Sequence, residues 1–102
     1  MRARPAAKDA INAALELFHR RWTLRVLWEL RAQALTFRAL QAACGGLSPT
    51  VLNQRLAELR EAMLVEASEA GYQLTPVGRE LLDAFQPLTR WALRWRRQLD
   101  AR

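Results

Sequence analysis

The chain has 102 residues, a hydrophobic fraction of 51% and a net charge of +6. That length fits one domain, the apolar content excludes a disordered chain, and no uninterrupted apolar run is long enough to cross a bilayer. The positive sign favours an anionic partner, nucleic acid ahead of membrane.

Residues 1–7 read as a basic N-terminal arm. Met1-Arg2-Ala3-Arg4-Pro5 lacks the apolar core of a signal peptide, so the expected location is the cytoplasm. Ile11, Ala14, Leu15 and Phe18 recur at helical spacing and predict a first helix over 8–19. Leu24, Leu27, Trp28 and Leu30 predict a second over Thr23 to Ala32, with Trp22 and Trp28 on its core side. Thr36 can cap a short third helix, Phe37 to Ala43, whose core side is Phe37, Leu40 and Ala43. Cys44-Gly45-Gly46-Leu47 breaks it, because paired glycines favour a turn. Cys44 is the only cysteine; it cannot form an internal disulfide and reads as a small packing residue in a reducing compartment.

Ser48 and Pro49 give the fourth helix its start: a hydroxyl to cap the first amides, then a residue that needs no N–H. Val51, Leu52, Leu56 and Leu59 fall on one side; Thr50, Asn53, Gln54 and Ala57 fall on the other. Alone, this is also the pattern of an ordinary amphipathic surface helix. After a short helix and a turn of about four residues it has the layout of a helix-turn-helix, here residues 36–62. Leu64 to Ala67 and Tyr72 to Thr75 then predict two short strands joined by a loop from Ser68 to Gly71, a wing over 64–75. Thr75-Pro76 repeats the cap-plus-proline start of a final helix, 76–100. Pro87 lies inside that helix, so a kink or break is expected near Ala84 to Gln86.

The blocks Trp22-Thr23-Leu24, Phe37-Arg38-Ala39-Leu40, Leu47-Ser48-Pro49 with Val51-Leu52 and Gln54-Arg55-Leu56, Leu64-Val65, and Tyr72-Gln73-Leu74-Thr75 with Gly78 occur in this order. Across roughly residues 10 to 98 the chain resembles the HxlR-type winged helix-turn-helix regulators of bacteria and archaea. The expected fold is therefore mainly α with a small β-hairpin: one winged helix-turn-helix domain over 1–102, with added N- and C-terminal dimerisation helices. The resemblance implies a homodimer that binds operator DNA and regulates transcription. Three departures stand out. Where many members carry a cysteine before the first helix, used in some for redox or electrophile sensing, this chain has Lys8-Asp9-Ala10-Ile11; where Gly-Gly-Lys is usual before the tryptophan, it has His19-Arg20-Arg21; and its wing is short, with Glu66 and Glu69 and no basic side chain.

Thr50, Asn53 and Gln54 are the candidates for base edges, since Asn or Gln can pair bidentately with adenine. Thr36, Arg38, Ser48 and Arg55 are the candidates for phosphate. Ser48 also caps its helix, and Arg55 can instead pair with Glu58 or Glu29. Trp91 and Trp95, with Leu88 and Leu99 in the same row, exceed what a small core needs and read as a dimer seam, together with Ile11 and Leu15 of the first helix. Packing of that row against the first helix within one chain is the alternative. Arg90, Arg94, Arg96 and Arg97 around it can screen it, grip DNA or meet an anionic membrane. One histidine and one cysteine far apart make no metal pattern, and no phosphate loop or nucleophile context occurs, so neither catalysis nor a metal or cofactor is expected.

These readings converge on a sequence-specific regulator of transcription, a dimeric repressor or dual regulator on an inverted-repeat operator in double-stranded DNA. The alternatives are a winged-helix protein-interaction module and an architectural DNA binder without sequence preference. A small-molecule effector would have to sit between the DNA-binding core and the dimer helices.

Overall fold

The structure, a computed structural model, describes residues 3–102. Met1 and Arg2 of the expected arm lie outside the described residues. Six helices and one hairpin follow in order: α1 Ala3–His19, α2 Thr23–Glu29, α3 Phe37–Ala43, α4 Pro49–Glu61, β1 Val65–Ser68, β2 Gly71–Leu74, α5 Pro76–Ala84 and α6 Gln86–Asp100. It is a mainly helical winged helix.

The core is made by the middle of the chain. Val26, Leu27 and Leu30 of the α2 segment meet Leu40 and Cys44 around α3, Leu52, Leu56 and Leu59 of α4, and Leu64, Val65 and Leu74 at the hairpin base. No residue of α6 is buried, and α5 buries only Gly78. The radius of gyration is 15.5 Å, against about 13 Å for a compact domain of this length. The excess reflects helices that stand off the core rather than joining it.

Helix ends are defined by local chemistry. The Thr36 hydroxyl accepts from Ala39 N–H at 3.1 Å, that of Ser48 from Val51 N–H at 3.2 Å, and that of Thr75 from Gly78 N–H at 3.0 Å. At the other ends α3 and α4 stop in the same way. Gly46 N–H reaches back to the Gln41 carbonyl and Gly45 N–H to that of Ala42; Leu64 N–H reaches Leu59 and Met63 N–H reaches Arg60. Both are paired six-to-one and five-to-two closures around a left-handed residue. In α3 that residue is Gly45; in α4 it is Met63, at φ 65°.

Three boundaries differ from the sequence expectation. α1 begins at Ala3, because apolar spacing detects only the amphipathic part of a helix, and Ala6, Ala7 and Lys8 are strong helix formers in their own right. α2 ends at Glu29 rather than Ala32: Leu30 turns into the core, and Arg31 folds back to donate to the Trp28 carbonyl at 3.0 Å. The hairpin is offset by one residue. Leu64 is taken by the closure of α4 and Thr75 by the cap of α5, while Ser68 pairs with Gly71, leaving only Glu69 and Ala70 as the connection. The final helical stretch is divided at Phe85, within the Ala84 to Gln86 window read from the sequence, because Pro87 has no N–H to continue the ladder. The Phe85 ring meets Phe18 of α1 at 5.5 Å between centroids.

Leu35 exchanges two backbone hydrogen bonds with Tyr72, at 2.9 and 2.7 Å, and so adds a one-residue third strand to the wing. Gly71 makes this possible: its φ is +123°, and a Cβ there would collide with the Leu35 carbonyl. No helix among the described residues is long and apolar enough to cross a membrane.

Candidate nucleic-acid interface

The site is built on α3, the turn after it, and α4. Burial of Leu52, Leu56 and Leu59 fixes the rotation of α4, and that rotation leaves Thr50, Asn53, Gln54 and Ala57 exposed together. The turn is cross-braced: Gln41 Nε2 donates to the Leu47 carbonyl at 2.8 Å, and Arg25 ties the end of α3 to α2 by donating to Ala43 at 2.8 Å and to Glu29 at 2.7 Å. The front of α4 is thus carried on a rigid frame and consists of short, hydrogen-bonding side chains, the kind that can approach base edges.

The expected phosphate set divides. Thr36 and Ser48 are exposed at the starts of α3 and α4; each oxygen accepts its capping bond while its hydroxyl proton is available to an anion. Arg38 is exposed on α3 and forms no ion pair among the described residues. Arg55 is occupied within the chain. Its Nη1 contacts both Glu58 oxygens at 2.7 and 2.8 Å, and its Nε donates to the Arg21 carbonyl at 2.9 Å. Arg20 completes the group at 3.0 Å from Glu58. The Arg55 guanidinium therefore faces the α1–α2 turn and is spent on internal bonds, so the structure does not bring it into the exposed α4 face. Arg60, passed over in the sequence reading, lies one turn beyond Ala57, is exposed and has no ion pair among the described residues. Its place three residues after Ala57 was the available signal.

Trp22 is half-buried and holds a left-handed backbone at φ 78°, just before α2. Trp28 is 42% exposed rather than core, and the Arg31 guanidinium covers its ring at 4.0 Å. The expected seam residues are all exposed: Ile11 and Leu15 on α1, and Leu88, Trp91, Trp95 and Leu99 on α6. Trp91 and Trp95 stack with centroids 5.5 Å apart and planes at 10°. The wing presents Glu66 and Glu69 to solvent, with Gln73 Nε2 donating to Glu66 at 2.7 Å.

Cys44 is 1% exposed. Burial pushes its thiol above the ordinary range, with Glu29 adding to the rise and Arg25 opposing it. It is held as a neutral thiol, the opposite of what a reactive cysteine needs. Among the described residues no group of three or more His, Cys, Asp or Glu side chains could hold a metal.

The family model described as HxlR-like helix-turn-helix matches residues 17–100. Among curated relatives, the uncharacterized HTH-type transcriptional regulator YvaP of Bacillus subtilis is 27% identical over 89 residues, covering 80% of this chain and 82% of its own. A second such regulator, from Methanocaldococcus jannaschii, is 26% identical over 78 residues, covering 72% and 74%. Quinone-bound YodB of Bacillus subtilis superposes with a TM-score of 0.79 at 27% identity, over 84% of this chain and 98% of that one. A MarR-family regulator from Enterococcus faecalis gives a TM-score of 0.80 at 28% identity, over 93% of each chain.

Proposed function

This chain belongs to the HxlR-like helix-turn-helix family of transcriptional regulators, and from that premise we propose that it acts as a homodimer that reads an inverted-repeat operator. It is a DNA-binding regulator and not an enzyme. The observation that carries the finer reading is the exposed row Thr50, Asn53, Gln54 on a braced α4 whose opposite side is buried. In a helix-turn-helix dimer two such helices enter successive major grooves, so half-site centres lie ~34–36 Å apart. Thr36, Ser48 and Arg38 hold the backbone on either side of the groove, and Arg60 extends the basic contact along α4. Arg55 serves the site indirectly, by locking α4 to the α1–α2 turn.

The seam is formed by α1 and α6. Exposed Trp and Leu side chains at helical spacing form an apolar stripe that a second copy would cover. Operation beside DNA places the protein in the cytoplasm. An effector between the core and the dimer helices would shift the two recognition helices relative to one another, and the quinone in YodB is an instance of a small molecule bound by a protein of this fold.

The deciding experiment is selection from a random duplex pool by purified protein at near-physiological salt. Enrichment of an inverted repeat with half-sites one helical turn apart is the expected result. Retention of all duplexes alike would assign an architectural role instead. No retained DNA from a folded dimer would reassign the α4 face to protein contacts.

A further inference from the structure

A groove of about 800 Å³ runs between α1, the end of α4 and α5. Ligand sites for small molecules span about 300–1,000 Å³. Its floor is apolar, with Leu17 and Phe18 from α1, Leu64 after α4, and Leu81 from α5. Ala13, Ala14 and Ala62 keep the channel open where larger side chains would fill it.

The charge of its walls is opposite to that of the chain. Net charge overall is +6, yet four carboxylates, Glu16, Glu58, Glu61 and Glu80, line the groove against one guanidinium, Arg20. Arg20 does not neutralise the rim evenly, because it sits on Glu58 at 3.0 Å, where Arg55 already binds. Glu16, Glu61 and Glu80 form no ion pair among the described residues. None of Ile11, Leu15, Leu88, Trp91, Trp95 and Leu99 lines the groove, so covering the proposed seam does not require filling it.

We propose that this groove is a binding site for a lipophilic, aromatic cation. The apolar floor and the Phe18 ring take the hydrophobic body, and the three uncompensated carboxylates take the charge. An anion of the same shape meets the same floor and a repelling rim. Glu58, Glu61 and Ala62 belong to α4 or its end, so an occupant touches the element that carries Asn53 and Gln54. That last link, and only that, rests on the DNA-reading function proposed above.

The test uses the full chain and two probes of nearly the same size and opposite charge, tetraphenylphosphonium and tetraphenylborate, by equilibrium dialysis without DNA. Tetraphenylphosphonium is expected to bind at least about tenfold more tightly than tetraphenylborate. The double variant Glu61→Gln/Glu80→Gln, which leaves the Arg55–Glu58 pair intact, should weaken it about tenfold with an unchanged thermal melt. Equal binding of both probes, or an unaltered affinity in a folded double variant, overturns the proposal. Exclusion of the cation by the dimer with uptake by the dissociated chain also overturns it, by assigning the groove to a second copy. Because DNA is absent from the measurement, failure of operator selection leaves its result untouched. A parallel titration of operator binding with tetraphenylphosphonium reads the link to α4.

Discussion

Arg55 Nε donates to the backbone carbonyl of Arg21 at 2.9 Å, across a sequence separation of 34 residues. That carbonyl immediately precedes Trp22, whose left-handed backbone is uncommon for a bulky residue. Helix α4 thus carries the group that fixes the turn between α1 and α2. The side chain of Arg55 is 13% exposed and that of Glu58 28%, which makes the pair more than a surface contact. Arg55→Ala should cost about 1–3 kcal/mol, since it leaves Glu58 and the Arg21 carbonyl short of donors. Arg55→Lys should recover only part of this, because an ammonium cannot serve both partners in the fork geometry. Denaturant unfolding at fixed protein concentration checks both. An Arg55→Lys protein of unchanged stability would contradict the assignment.

Base reading and phosphate holding separate by salt. Asn53→Ala or Gln54→Ala should lower discrimination against altered operators by ~1–3 kcal/mol while leaving the salt dependence of affinity nearly unchanged. Arg38→Ala should weaken binding to every duplex and flatten the salt slope by about one unit. Affinity for matched and scrambled duplexes at several salt concentrations provides the test; an equal loss on all DNA from Gln54→Ala removes it from the base-reading set.

Met63 closes α4 in a conformation that costs an L-residue roughly 1 kcal/mol and costs glycine little. Its side chain is 71% exposed and contributes little packing to offset that. Met63→Gly should therefore stabilise the protein by up to about 1 kcal/mol, less the added chain entropy of the unfolded state. Gly78→Ala should do the reverse, by more than ~1 kcal/mol, because the new Cβ would collide with the Leu64 carbonyl. Paired thermal melts of the two variants give the signs.

Trp91→Ala and Trp95→Ala should each weaken self-association by about 2 kcal/mol or more, with the winged-helix core still folded. Sedimentation equilibrium reports the first and near-ultraviolet circular dichroism the second. Association unchanged by both substitutions would move the seam elsewhere.

Cys44 should resist alkylation in the folded protein at neutral and mildly alkaline pH, and react at the ordinary thiol rate once the chain is unfolded. Its raised ionisation range keeps it protonated in that window, and burial keeps reagent away. Mass-resolved labelling with and without denaturant reads this directly.

The elements most legible in the sequence are those whose ends carry their own chemistry. Thr36, Ser48 and Thr75 mark helix starts through a side-chain oxygen, and α3, α4 and α5 begin where they indicate. Leu52, Leu56 and Leu59 likewise identify the buried side of α4, and so the exposed position of Thr50, Asn53 and Gln54. What was not legible depends on contacts distant in sequence, on competing local roles, or on elements too short to show a period. The pairing of Arg55 with Glu58 is local and stands among the sequence alternatives, but its second partner, the Arg21 carbonyl, depends on how α1 and α2 meet α4. The one-residue offset of the wing follows from Leu64 and Thr75 each having a competing local role. Trp28 was misplaced because a seven-residue helix gives too little periodicity to decide between a ring inside the core and one lying under Arg31.

No residue of α6 is buried within its own chain, yet the helix carries four of the exposed large apolar residues named above as a seam. In the homodimer proposed above a second copy would complete α6, and folding would be tied to abundance, since dimerisation stabilises by mass action. Dilution should then lower the melting temperature and the fraction of α6 surface protected from proteolysis together. In a cell, the copy number at which the protein becomes resistant to degradation and the copy number at which it can occupy an operator would then be set by the same association constant, giving a sharp onset of regulation with expression level.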